Sequence, residues 1–219
     1  MNYKELTPPG YVVIEGPIGV GKTSLVNRLA ESFGCGTLME KPEENPFLER
    51  FYLDGQKAAF PTQLFFLFQR SQQLQELRNR DLFHSAMVSD FMLEKDRIFA
   101  RLNLDKDEFE LYEKVYEKLN PEAPIPDLVV YLQAPAEVLQ RRVRNRSRAS
   151  EMNLGLDYLQ RLGDAYAEFF HHYDASPLLI INAAEINPVE REEDYQLLLE
   201  QICNVRSGKH YFNPGPLLL

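Results

Sequence analysis

The chain has 219 residues, 44% of them hydrophobic and 26% charged, with a formal net charge of −9 at neutral pH. That length suits one α/β domain with a real core, and the acidic balance excludes a general binder of nucleic acid or anionic membrane, so any basic site has to be local. The two cysteines, Cys35 and Cys203, stand far apart in no metal-like spacing, and they read as reduced thiols. Met1 to Gly10 lacks a basic-then-apolar leader pattern. The longest apolar run, Leu64 to Phe68, falls far short of the ~20 residues a membrane span needs. The expectation is a cytoplasmic protein of one domain over residues 1–219.

In chain order, Tyr11 to Glu15 reads as a short apolar strand that ends at a glycine-rich turn, and Lys22 to Phe33 as a helix with Leu25, Leu29 and Ala30 at helical spacing. Thr37 to Met39 is a second short strand. Thr62 to Arg80 is a long helix, with Leu64, Leu67, Phe68, Leu74 and Leu77 assigned to its inner side. Ala86 to Ser89 is a strand, followed by a helix into Ala100, and Asp107 to Leu119 is a further amphipathic helix. Leu128 to Leu132 is a β-branched strand, and Ala136 to Arg146 and Leu154 to Tyr173 are helices. Leu178 to Asn182 reads as the last strand and Glu192 to Val205 as the last helix. Strands that each lead into a helix imply crossovers and a parallel sheet. Short, almost wholly apolar strands imply that both faces are covered. The fold class expected is a three-layer, doubly wound α/β domain.

Gly16-Pro17-Ile18-Gly19-Val20-Gly21-Lys22-Thr23, followed by Ser24, matches the phosphate-loop pattern in full, directly after a strand and before a helix. Glycines let the backbone N–H groups turn toward a phosphate, and the helix start adds its positive end. Lys22 suits the β- and γ-phosphates of ATP, and the Thr23 hydroxyl suits Mg²⁺. No guanine-reading N-K-x-D is present, so a small-molecule kinase is favoured over a GTPase.

Beyond this loop the chain resembles the deoxynucleoside kinases, the bacterial deoxyadenosine and deoxyguanosine enzymes in particular, from Tyr11 to about Phe212. The residues that carry the resemblance are Glu40 with Glu44-Asn45-Pro46-Phe47, Tyr52, the helix with Gln63 and Arg70, the stretch from Arg142 to Glu151, and a terminal turn near Tyr211. On residue pattern alone, Glu40 reads as a solvated member of an acidic loop with Glu43 and Glu44. The resemblance implies instead that it is the base for an acceptor 5′-hydroxyl. Gln63 and Arg70 lie two turns apart on one helical face, taken as distinct from the packed one. The resemblance places Gln63 on the base of a deoxynucleoside, Arg70 close by, and Tyr52 at the sugar. It also implies a lid over residues 142–153, with Arg142, Arg146 and Arg148 over the triphosphate and Glu151 on the sugar side. Arg141 and Arg144 complete five arginines in eight residues, for which a nucleic-acid patch is the rival reading.

The third strand runs into Asp90, which resembles the family's acid toward Mg²⁺, but Phe91 stands where many members carry an arginine. Asp96 keeps roughly the spacing of a second base-reading carboxylate, and Lys95 and Arg97 are the nearby cations. The resemblance implies ATP-dependent phosphorylation of a deoxynucleoside, leaning to deoxyadenosine or deoxyguanosine, by a homodimer built through helices. The alternatives are a thymidylate-like monophosphate kinase and a non-catalytic nucleotide-binding subunit.

Overall fold

A computed structural model of the chain describes residues 8–79, 86–119, 122–146 and 154–213. Its elements are β1 (Tyr11–Glu15), α1 (Lys22–Phe33), β2 (Gly36–Leu38), α2 (Leu48–Asp54), α3 (Ala59–Asn79), β3 (Met87–Ser89), α4 (Lys95–Asn103), α5 (Lys106–Leu119), β4 (Leu128–Gln133), α6 (Ala136–Asn145), α7 (Leu156–His172), β5 (Leu178–Asn182), α8 (Glu192–Asn204) and β6 (Lys209–Phe212). The strands form one sheet in the order β2-β3-β1-β4-β5-β6. Every neighbouring pair is parallel. From β1 the chain winds to one side and then to the other, so its carboxyl edge is the switch point at which such sheets bind ligands.

The four central strands, β3, β1, β4 and β5, are buried on both faces because their side chains alternate between two cores. Val12, Ile14, Leu128, Val130, Leu179 and Ile181 pack on α1 and α8 through Leu25, Leu29, Leu198 and Ile202. Val13, Val129, Tyr131, Leu178 and Ile180 pack on the other face, against α3, α4, α5 and α7. There Tyr131 stacks on Phe170 with centroids 4.3 Å apart. Glycines set both ends of α1: Gly21 enters at φ 109°, and Gly34 leaves in a left-handed cap whose N–H reaches the carbonyls of Ala30 and Glu31.

Three expectations need correction. The terminal turn near Tyr211 is a sixth strand, paired to β5 through Ile180 and Tyr211; its residues are mostly exposed, so no apolar alternation marks it. The inner face of α3 carries Gln63, Leu67, Arg70, Leu74 and Leu77, all at most 3% exposed, whereas Phe68 is 51% exposed. Gln63 and Arg70 therefore share the packed face rather than a separate wet one. Finally, α2 was not anticipated, and it carries Tyr52. Among the described residues, no helix is long and apolar enough to cross a membrane.

Candidate active site

Three loops meet at the carboxyl edge of the sheet. The glycine loop follows β1, Glu40 lies two residues past β2, and Asp90 directly follows β3. Gly16 and Gly19 adopt φ of 146° and 84°. A side chain on Gly16 would bring its Cβ to 2.3 Å from the Leu132 carbonyl oxygen, whereas around Gly21 no atom lies within 4 Å of such a position. The first approach is closed by the sheet, and the second is the open cradle that a phosphate would fill. Gly16→Ala should therefore cost about 1–3 kcal/mol from backbone conformation alone, and more from the collision. Thermal unfolding and ATP titration of this variant check the point, with Gly163→Ala, where nothing lies within 4 Å, as the tolerant control.

Lys22 Nζ donates to the carbonyl oxygens of Gly16 and Pro17 at 2.6 and 3.2 Å. Burial, then repulsion from Lys95, brings its pKa down to about 8. An anion in the loop would relieve both effects. Thr23 Oγ1 donates to Asp90 Oδ2 at 3.0 Å. A hydroxyl and a carboxylate so placed fit Mg²⁺, which takes oxygen ligands and keeps substrate phosphates in its shell. Among the described residues, no group of three or more His, Cys, Asp or Glu could hold a metal ion by itself.

Asp90 also accepts a bond from the Glu40 backbone N–H through Oδ1 at 2.8 Å, which ties the end of β2 to the end of β3. The Glu40 carboxylate is clamped from two sides. Arg70 donates to Oε1 through Nε at 2.9 Å and also through Nη2. Lys95 Nζ donates to Oε2 at 2.9 Å. Burial works to raise the Glu40 pKa, but Arg70 and Lys95 outweigh it and hold the carboxyl well below the usual carboxylate range. Arg70 is anchored in turn: Nη1 donates to Asp96 Oδ2, and Tyr112 OH donates to Asp96 Oδ1 at 2.9 Å. Burial disfavours the Arg70 charge, but the two carboxylates more than compensate, and its pKa is raised. Gln63 Nε2 donates to the Asp96 carbonyl oxygen at 3.3 Å.

These groups line one cavity of about 280 Å³ that runs from Lys22, Thr23 and Asp90 to Glu40, Tyr52, Gln63 and Arg70, with Phe66 and Phe99 as apolar walls and Arg146 at the rim. It has a charged end suited to a polyphosphate and an aromatic end suited to a flat ring. Arg142 does not line it. Its guanidinium instead bonds the carbonyl oxygens of Val20 and Ala183 at 3.2 and 2.8 Å, bracing the glycine loop against the end of β5. Arg148 and Glu151 lie outside the described residues, as does most of the expected lid.

The family model described as deoxynucleoside kinase matches residues 12–206. This chain belongs to the deoxynucleoside kinase family. It is 33% identical to the deoxyguanosine kinase of Bacillus subtilis (strain 168) over 157 residues, 71% of this chain and 76% of that one. It is 29% identical to the deoxyadenosine kinase of Lactobacillus acidophilus over 205 residues, 87% of this chain and 94% of that one. Among solved structures it resembles the deoxyadenosine kinase from M. mycoides with bound dATP, with a TM-score of 0.77 at 26% identity over 88% of this chain and 98% of the other. The same enzyme with dCMP and a flexible dCDP as products gives a TM-score of 0.77 at 27% identity.

Within this deoxynucleoside kinase, Phe91 is fully buried in the core with Tyr11, Leu74 and Phe170 and presents nothing to the cavity. Of the two cations named from sequence, Lys95 reaches the site. Arg97 pairs with Glu113 and lies over the Tyr116 ring. Glu15 went unnoticed in the sequence: fully buried, it accepts bonds from Gly16 N–H, Met92 N–H and Tyr166 OH at 3.0, 2.9 and 3.1 Å. Its signal was available, a glutamate closing an otherwise apolar strand. The walls Phe66 and Phe99 carried no comparable signal, since two aromatics on helices look like ordinary core.

Proposed function

We propose that the protein transfers the γ-phosphoryl group of ATP to the 5′-hydroxyl of a purine deoxynucleoside. The observation that carries this reading is the clamped Glu40 at the junction of the cavity's charged and aromatic ends. The triphosphate lies on residues 16–24 with Lys22 on its outer phosphates. Mg²⁺, when bound, is held by Thr23 and Asp90 and supplies charge neutralisation. Glu40 orients the acceptor hydroxyl and takes its proton. Tyr52, Gln63, Arg70 and Asp96 form the acceptor side, Gln63 through an amide able to both donate and accept. Arg146 faces the donor and Arg142 braces its loop, with Arg148 and Glu151 assigned to a lid over residues 142–153.

A nucleoside fits better than a nucleoside monophosphate because Arg70, the fixed cation beside Glu40, is already paired to two carboxylates. An acceptor phosphate would need a free one. The purine preference rests on the names of the relatives above. A deoxycytidine acceptor is the second reading, favoured by the relative named deoxyadenosine/deoxycytidine kinase of Bacillus subtilis. The protein is further proposed to be a cytoplasmic homodimer. α3 and α5 each offer one exposed apolar residue, Phe68 and Leu111, whereas the groove of about 600 Å³ beside Ile98, Leu102 and Phe169, between α4 and α7, is a broader apolar face and the better contact.

The test is ADP release with Mg²⁺-ATP over the four deoxynucleosides, their ribo forms and their monophosphates. Turnover confined to deoxyadenosine and deoxyguanosine is expected. Turnover with monophosphates alone would transfer the assignment to a nucleotide kinase, and silence with every acceptor would favour a non-catalytic nucleotide-binding subunit.

A further inference from the structure

Glu40 is held by two cations of different freedom. Arg70 is fixed by a planar fork on Glu40, by Asp96 behind it and by the Phe66 ring 4.9 Å below its guanidinium. Moving it would strand Asp96, which is fully buried. Lys95 is 4% exposed, and among the described residues its ammonium has one acceptor, Glu40 Oε2. An ammonium carries three donors, and a buried charge wants each of them matched. Lys95 lines the same cavity as Lys22, Thr23 and Asp90, and its charge bears on Lys22. Two ammonium groups thus face one cavity, which the carboxylates of Glu40 and Asp90 also line. The flexible four-carbon stem of lysine can swing where the arginine fork cannot.

From this geometry, and resting on the kinase reading above, we propose that Lys95 shifts its ammonium from Glu40 Oε2 to the γ-phosphoryl oxygens of the bound donor. The shift does two things. It places positive charge on the group being transferred, where positioning and neutralisation carry most of the catalysis. It also frees Oε2 while Arg70 keeps hold of Oε1, so the carboxylate stays aimed. The acceptor proton then passes to Oε2, and the hydroxyl oxygen bonds to the γ-phosphorus. The bond from that phosphorus to the β,γ-bridging oxygen breaks, its electron pair leaving with ADP. The buried cation over the Phe99 ring thereby acts on both partners of the transfer.

The decisive contrast is between triphosphate and diphosphate, because Lys95 would touch only the last phosphoryl group. Calorimetric titrations of wild type, Lys95→Met and Lys95→Gln would use the β,γ-imido analogue of ATP and ADP, each with Mg²⁺. Both variants should bind the analogue about tenfold more weakly, a loss of one charge-assisted contact offset by the released Glu40 pair. Their ADP affinity should stay within about twofold, which also reports an intact fold. Lys95→Arg should restore part of the triphosphate preference. Equal weakening of both nucleotides, or weakening of neither, would overturn the assignment. Should Lys95→Met not fold, Lys95→Gln and Lys95→Arg give the same contrast. The acceptor panel on wild type stands apart. Failure there removes the deoxynucleoside reading and leaves the Lys95 contrast intact, and a missing contrast with an active wild type does the reverse.

Discussion

Glu40→Gln is expected to lower kcat by roughly 10²- to 10⁴-fold, the usual contribution of a positioned general base, while the affinity for ATP changes by no more than a few-fold. Glutamine keeps the shape of the side chain and loses the charge. Arg70 and Lys95, which share the two oxygens of Glu40, then face a neutral amide whose NH₂ can only oppose one of them. The low pKa of Glu40 looks at first unsuited to a base. It describes the clamped carboxylate, and phosphoryl transfer passes through a loose transition state in which the hydroxyl need not be deprotonated early. Orientation is the larger part of the task, and a proton acceptor is needed late. Steady-state kinetics with ATP and the preferred deoxynucleoside, together with an ATP titration, separate the two effects. Equal losses in kcat and in ATP affinity would place Glu40 in the binding of the donor rather than at the reacting hydroxyl.

Arg70→Leu should be the most destabilising single change in the site. Arg70 and Asp96 are 2% and 0% exposed, and removing one member of a buried ion pair costs about 3–5 kcal/mol because the other charge is left unmatched. For a chain of this size, that lowers the thermal midpoint by roughly 6–20 °C. Tyr112 would retain its bond to Asp96 Oδ1 but could not replace a cation. The double variant Arg70→Leu/Asp96→Leu should recover part of the loss, since two apolar side chains need no counter-charge, and it should remain inactive because Glu40 has lost its fixed partner. A double variant less stable than Arg70→Leu alone would show that Asp96 contributes to the fold by a route other than this pair.

The sheet was legible because both faces of its centre are covered: four of the six strands, β1, β3, β4 and β5, are short buried runs, and the boundaries of the first five strands hold to within a residue or so. The sixth, β6, is an exposed edge of Lys-His-Tyr-Phe that exists only by pairing with β5, a long-range effect invisible in local pattern. The glycine loop was legible because its tight strand-to-helix turn needs positive φ at Gly16, Gly19 and Gly21. The face of α3 was not. Residues 64–68 are Leu-Phe-Phe-Leu-Phe, apolar all round, so helical periodicity could not separate Phe68 from Leu67. Arg70 and Gln63 were legible as a pair, but their burial depends on Asp96 and Tyr112, which arrive from α4 and α5. Lys95 could be named from sequence as one of two nearby cations. Only the placement of the first turn of α4 over Glu40 distinguishes it from Arg97, which turns away to Glu113.

The central claim is that the cavity joins a donor phosphate chain to an acceptor hydroxyl at Glu40. It is tested most directly by incubating the wild type and Glu40→Gln with Mg²⁺-ATP and deoxyguanosine or deoxyadenosine, and identifying the product by phosphorus NMR. The wild type should give the 5′-monophosphate in step with ADP, and Glu40→Gln should give it at least about a hundred-fold more slowly. Inorganic phosphate in place of a nucleotide product, or a monophosphate formed at equal rates by both proteins, would contradict the account.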